Sequence, residues 1–289
     1  MKAVGKKALI VGSTGFVGRQ LKSYLEENRG NYQLDEMNRK DGKSFEDALE
    51  KAPDIIFYTA GVVASDNLEE LFEGNVLHLH RLLSAVAKKC PEAFVVALGS
   101  AAAYGMPKRL PIKESDPLEP ISNYGLSMKM RSDLMSYFRN SGLRVVEARL
   151  FNAIGPDLSE KTSIGSFLKQ IATIKKSKSK PCINTGFLEN KRDFTDIRDI
   201  ASALAEISEN CQPSCPVFNV CSGKSAKISE VLGLLGKEAG LALEIRQESG
   251  RLRKFDIPDS VGDNSLLTSK TSWKPKFSLE ESAEFALAN

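Results

Sequence analysis

The chain has 289 residues, 42% hydrophobic and 27% charged, enough to bury a sizeable core in one large or two small domains. Its 40 basic residues stand against 37 acidic ones, a net charge of +3, and so even a balance excludes nucleic acid or a membrane surface as the main partner. No apolar stretch approaches the ~18 residues of a membrane span, and a cytoplasmic location is expected.

The opening MKAVGKKALIVGSTGF has a basic start but no cleavage-like segment; it reads as a first strand running into a glycine loop. That loop, GSTGFVG, places Gly12, Gly15 and Gly18 at its first, fourth and seventh positions, with Thr14, Phe16 and Val17 between them. At a junction between an apolar strand (7–11) and an amphipathic helix, Gly12 permits a tight turn, Gly15 lets backbone N–H groups approach a pyrophosphate, and the helix start offers unpaired donors. A dinucleotide is the expected ligand. The second strand ends near YQLDEMNRKDG, where the adenosine ribose would lie. A carboxylate there suits NAD, and a basic side chain suits the extra phosphate of NADP. The segment offers both Asp35 and Arg39; with Arg39 and Lys40 directly before Asp41, the balance favours NADP, the alternative being that these charges line a surface turn.

The runs DIIFYTA (54–60), FVVALGS (94–100) and LRVVEARL (143–150) alternate with helical patterns such as LEELFEGNVLHLHRLLSAVAKK. Strands alternating with helices predict an α/β protein with a Rossmann-type doubly wound parallel sheet. His78 and His80 are two apart and would point to different faces of a helix, and no other histidine exists, so no metal site is expected. Five cysteines (Cys90, Cys182, Cys211, Cys215, Cys221) without paired CxxC clusters read as reduced structural thiols. KKSKSK (175–180) reads as a solvated loop.

Two stretches make a resemblance specific. LGSAAAYG (98–105) followed by NYGLSMK (123–129) resembles the extended short-chain dehydrogenase/reductase superfamily, whose members place a hydroxyl at the end of the fourth strand and a tyrosine on the next helix. The likeness continues through YTAGVVAS, Asn75, ARLFNAIGP (148–156) and GFLENKRDFTDIRDIASAL (186–204), nearly the whole chain, and is strongest to the branch containing GDP-mannose 4,6-dehydratase and GDP-4-keto-6-deoxy-D-mannose reductase. Phe187 departs from the asparagine usual in that branch. The resemblance implies Ser100 and Tyr124 as catalytic groups and Met128 at the place of the usual lysine. It implies Gly12, Thr14, Gly15, Phe16, Val17, Gly18, Arg39, Asp41, Ala60, Gly61, Asn75 and Tyr124 around the cofactor. Ser100, Ala101, Asn152, Arg192, Arg253 and Asp256 would then hold a nucleotide-diphosphate sugar, with guanine favoured as its base. It also implies a homodimer, through helices including the one bearing Tyr124. A nucleotide-binding lobe would comprise residues 1–150 and 191–222, and a sugar-binding lobe 151–190 and 223–289. The bland readings are that Ser100 caps a strand end and that Arg192 pairs with Asp193 or Asp196; Arg251 and Lys254 compete with Arg253 for any phosphate.

Two residues narrow the reaction. Dehydratases of this branch carry a glutamate two places after the catalytic hydroxyl; here that place is Ala102, whose methyl cannot move a proton, and elimination is disfavoured. Met128 shares a helical face with Tyr124, while Lys129 is rotated about 100° away. Without a neighbouring ammonium the phenol stays near its ordinary pKa of about 10. Oxidising an alcohol needs the scarce phenolate, whereas reducing a ketone needs the abundant phenol. The sequence therefore favours NAD(P)H-dependent reduction of a nucleotide-linked 4-keto-6-deoxy sugar over 4-epimerisation or dehydration. A module that binds cofactor without catalysis is the alternative from a different class.

Overall fold

The apolar runs become the middle of a six-stranded parallel sheet. Across it lie, in order, β2 (Tyr32–Met37), β1 (Lys6–Val11), β3 (Ile55–Tyr58), β4 (Phe94–Ser100), β5 (Arg144–Leu150) and β9 (Val217–Val220), elements being numbered along the chain. This computed structural model describes residues 5–28, 32–38, 41–63, 65–177, 180–211, 213–248 and 257–288. Helices cover both faces, which is why the central strands lack polar alternation and β3 is buried at every position. On one side α1 (Phe16–Asn28) and α7 (Ile197–Asn210) set Leu21, Leu25, Ile200 and Leu204 against Ile10, Phe57 and Val96. On the other, α2 (Phe45–Leu49), α4 (His78–Lys89) and α5 (Asn123–Asn140) set Phe45, Leu79, Leu82 and Met135 against Leu9, Ile56 and Val95. The chain is thus the expected Rossmann-type doubly wound α/β fold. Strand order reverses between β1 and β3, and a crevice opens at the carboxyl ends of those strands.

The long helical pattern at 68–89 is interrupted. Helix α3 (Leu68–Phe72) joins α4 through a wider π-type turn, Glu73–Leu77, that buries Asn75. Such turns add a residue to the helical circuit and re-aim a side chain, often toward a functional cleft.

A second body stands over the carboxyl ends of the strands. Strands β6 (Asn152–Ile154), β8 (Lys191–Asp196), β10 (Ser225–Lys227) and β12 (Asp259–Ser260) form a small sheet with β8 at its centre, and β7 (Cys182–Thr185) pairs with β11 (Glu244–Gln247). Helices α6 (Ser163–Ser177), α8 (Ile228–Ala239) and α10 (Leu279–Ala286) close a separate core around Phe167, Ile171, Ile183, Leu232 and Leu235. Segment 191–222 contributes to both bodies, β8 to the small sheet and β9 to the large one. After α9 (Ser265–Lys270), Trp273 returns to the first core and donates its indole N–H to Asp199 and Ser202. The bodies are tied by Asp193 on β8, whose carboxylate accepts hydrogen bonds from Ser222, Gly223 and Gly262.

Part of KKSKSK is helical rather than loop: Lys175, Lys176 and Ser177 form the exposed last turn of α6, where positive charge complements the helix dipole. The five cysteines are free, and burial pushes the Cys211 thiol up to about 11, so it stays protonated and inert. Among the described residues no helix is long and apolar enough to cross a membrane.

Candidate active site

A cleft of about 1350 Å³ runs from the glycine loop across the ends of β3 and β4 into the second body. Its cofactor-side wall begins with the turn after β1. Gly12 has a φ of +91° there, and a Cβ at that position would lie 2.8 Å from the backbone nitrogen of Ala60, so only glycine lets the ends of β1 and β3 come this close. The turn is held from behind. Asn38, directly after β2, accepts hydrogen bonds from the Thr14 N–H and from the Ser13 and Thr14 hydroxyls, each at 3.1 Å. Gly15, Phe16 and Val17 then line the cleft, presenting a helix start whose first N–H groups lack intrahelical acceptors. Gly18 packs under the loop and is buried.

Ala60 and Gly61 continue the wall. Asn75 is fully buried and holds that stretch in place: it accepts from the Val62 N–H at 2.7 Å, donates to the Val62 carbonyl at 2.9 Å, and donates to Ser127 at 3.1 Å. Asp41 lies outside the cleft lining; its carboxylate accepts the Asn38 N–H. Arg39, Arg253 and Asp256 lie outside the described residues.

The candidate catalytic residues come together where α5 meets β4. Ser122 caps the helix through the Gly125 N–H, and Gly125 lets the first turn press against the 101–103 turn, since a Cβ there would lie 2.4 Å from the Ala102 carbonyl oxygen. This contact sets Tyr124 in the same cleft lining as Ser100. The Ser100 Oγ accepts the Ala102 N–H at 3.2 Å, capping the turn, and Ser100 lines the cleft that Tyr124 also borders. Burial raises the Tyr124 pKa above its ordinary value, with the nearby Ser100 hydroxyl and the charge of Arg131 opposing the rise, so the phenol is protonated at neutral pH.

Met128 is 3% exposed and lines the cleft one turn beyond Tyr124. Lys129 points elsewhere, as its rotation requires, and pairs with Asp133 at 2.7 Å. On the substrate side Ala101, Asn152 on β6 and Arg192 on β8 line the same cleft, as does Phe187. Arg192 donates to the carbonyls of Lys191 and Ile257; Asp196 is taken by Arg198, and Asp193 by the loops named above. Among the described residues no group of histidine, cysteine and carboxylate side chains could hold a metal ion.

Two residues of the site were not anticipated from sequence. Asn38 follows Met37 in a charged stretch and carried no motif. Arg131, seven places after Tyr124, is 2% exposed and lines the cleft; the spacing was visible, but a charged helix residue is ordinarily solvated.

The residues fit a pyridine dinucleotide: the glycine turn admits close backbone approach, the helix start supplies donors, and Arg131 leaves two buried nitrogens without partners beside Ala60. Comparison with known proteins agrees. The chain is 28% identical to GDP-6-deoxy-D-mannose reductase of Pseudomonas aeruginosa, across 98% of this chain and 97% of that protein. It is 27% identical to GDP-6-deoxy-D-talose 4-dehydrogenase of Aggregatibacter actinomycetemcomitans, across 90% of each. It superposes on the structure of RMD from Pseudomonas aeruginosa complexed with NADPH with a TM-score of 0.88 at 27% identity, covering 99% of this chain and 97% of that one. The family model of the NAD dependent epimerase/dehydratase family matches residues 8–221. The chain belongs to the NAD dependent epimerase/dehydratase family and is an NAD(P)-dependent oxidoreductase.

Proposed function

We propose that this enzyme reduces the 4-keto group of a nucleotide-linked 6-deoxy sugar, with a GDP sugar favoured. The observation that carries the reading is that Ser100 and Tyr124 line one cleft, continuous with the glycine turn. When bound, NAD(P)H supplies the hydride. Ser100 donates a hydrogen bond to the ketone oxygen, and Tyr124 delivers the proton: its O–H bond breaks as one forms on the sugar's C4 oxygen, and solvent reprotonates the phenolate. The raised pKa of Tyr124 supports the reducing direction, since the acid form predominates. Ala102, which lines the cleft at the place where elimination needs a carboxylate, argues against dehydration. Ala101, Asn152 and Arg192, with Arg253 and Asp256, hold the nucleotide diphosphate, a guanidinium fork matching a phosphate edge.

NADPH is preferred over NADH in this reading. Asp35 is bonded to Lys51 and Glu36 to Lys22. The residue that follows β2 and holds the loop is the neutral Asn38, with Arg39 next to it. The enzyme acts in the cytoplasm as a homodimer, paired through α5, where Leu126, Met130 and Tyr137 are exposed and lie within about 40° of one another around the helix.

The test is NADPH oxidation with a GDP-4-keto-6-deoxy sugar by the parent protein and by Tyr124→Phe, with product sugars identified. Turnover lost in the phenylalanine variant supports the reading. Interconversion of unreduced sugar nucleotides at C4 without net consumption of NADPH would make the enzyme an epimerase instead.

A further inference from the structure

Helix α5 presents a second polar position on the face that carries Tyr124. Residues 124 and 131 are seven apart, within about 20° of the same direction around the helix. Helical side chains lean toward the N-terminus, so Arg131 runs back over the turn that holds Met128. Its guanidinium carbon sits 4.7 Å above the centre of the Tyr58 ring, and Nη1 donates to the Ala60 carbonyl at 3.1 Å. Nε and Nη2 are buried without any hydrogen-bond partner, although the residue lines the cleft with Tyr124 and Met128. Glu147 on β5 does not pair with it; that carboxylate is bonded to Arg149 and Ser132. An arginine keeps its proton in proteins, and a buried cation with unmade hydrogen bonds is costly unless a ligand completes it.

We propose that Arg131 is a positioning residue that supplies, one turn further along α5, the cation absent at position 128. When the dinucleotide binds, a shift of the side chain brings the enclosed Nε and Nη2 to the cleft edge, where they donate to ribose hydroxyls on the nicotinamide half, and its charge stabilises the Tyr124 phenolate as the proton leaves. This rests on the reading that a nicotinamide dinucleotide fills the cleft. Met128 is then no lesion: an apolar side chain beneath a guanidinium avoids the repulsion that two adjacent cations would suffer.

The titratable groups facing Arg131 are Tyr58 from β3, Tyr124 from α5 and Glu147 from β5. Tyr58 is itself bonded to His78 at 2.6 Å. A Tyr58→Phe control therefore separates its titration from that of Tyr124.

NADPH would be titrated by fluorescence into the parent, Arg131→Met, Arg131→Lys and the double variant Met128→Lys/Arg131→Met, and the pH profile of alcohol oxidation with NADP recorded for each. Arg131→Met is expected to weaken NADPH binding about tenfold, the loss of charge-assisted hydrogen bonds. It is also expected to move the midpoint of the oxidation profile up by about one pH unit, a tenfold loss of phenolate at a given pH. The double variant recovers both, and Arg131→Lys falls between; Tyr58→Phe leaves the midpoint in place. Should Arg131→Met fail to fold, Met128→Lys in the parent decides: little gain supports the proposal, because the charge is already present, and a tenfold gain in oxidation overturns it. A folded Arg131→Met with unchanged affinity and midpoint also overturns it. A parent protein that binds neither NADPH nor NADH overturns the reading of the cleft itself.

Discussion

Replacing Glu147 by glutamine tests whether helix α5 is seated by a buried ion pair. Glu147 and Arg149 are two apart on β5, so both point toward the same face of the sheet, with side chains 1% and 5% exposed. The guanidinium reaches both carboxylate oxygens, Nε at 3.0 Å and Nη2 at 3.1 Å, while Ser132 of α5 donates to the second oxygen at 2.7 Å. Arg149 also donates to Tyr104, whose hydroxyl donates to Asn219 at 2.8 Å. Glutamine keeps one acceptor but turns an NH2 toward the guanidinium and leaves that cation uncompensated. Removing one partner of a buried pair costs about 3–5 kcal/mol, and the retained oxygen argues for the lower end. At ~2.1 cal/mol/K per residue, unfolding a chain of 289 residues carries ~0.6 kcal/mol/K, so a loss of ~3 kcal/mol lowers the Tm by ~5 °C. Scanning calorimetry of Glu147→Gln reads this directly, and the double variant Glu147→Leu/Arg149→Met should be less destabilised than the single change, because no charge is left behind. A Tm within about 1 °C of the parent, or a double variant worse than the single one, would refute the argument.

Tyr124→Phe should bind NADPH as the parent does while kcat for reduction falls by about 10²-fold or more, the usual contribution of a positioned acid, measured as NADPH oxidation at saturating sugar nucleotide. Because burial raises the Tyr124 pKa, its acid form persists through neutrality: reduction should be flat from pH 6 to about 9 and decline only above the ordinary phenol value of about 10, while oxidation rises over the same range. Gly12→Ala forces a positive φ on a residue with a side chain and drives a methyl to 2.8 Å from the Ala60 nitrogen, so stability should fall by about 2–4 kcal/mol and NADPH affinity with it, read by urea unfolding and fluorescence titration. Asp193→Ala leaves the donors of Ser222, Gly223 and Gly262 without an acceptor and should cost about 3 kcal/mol in the same unfolding assay.

What could be read from the residues alone follows from how local each signal is. The glycine turn declares itself because backbone conformation and close approach leave no substitute at Gly12, and the strands at 94–100 and 143–150 coincide with β4 and β5 to within a residue. Ser100 and Tyr124, which the family resemblance set together, line one cleft, and the rotation of Lys129 away from it was legible through helix geometry. The wider turn at Glu73–Leu77 was not, since its apolar pattern differs little from an uninterrupted helix. Glu147 and Arg149 were hidden inside LRVVEARL for a related reason. A period of two within a strand buried on both faces marks two residues for the same side but cannot say that they meet there. The place of β8 in the second sheet was also invisible, because its register depends on partners at 152–154, 225–227 and 259–260 that are remote in sequence.

Helix α5 shows why one substitution in a motif is a poor guide to activity. Its faces have separate tasks: Tyr124, Met128 and Arg131 border the cleft, Ser132 and Met135 seat it on the sheet, and Leu126, Met130 and Tyr137 are exposed. A task assigned to one face can move along that face by a turn without disturbing the others, because positions 128 and 131 differ by only about 60° in direction and ~4.5 Å in rise. An arginine side chain is long enough to make up that rise, and the lean of helical side chains carries it the right way. Position 128 then needs only volume, which methionine provides. The electrostatic requirement belongs to a place in the cleft beside Tyr124 and Ala60, and any residue whose cation reaches that place satisfies it.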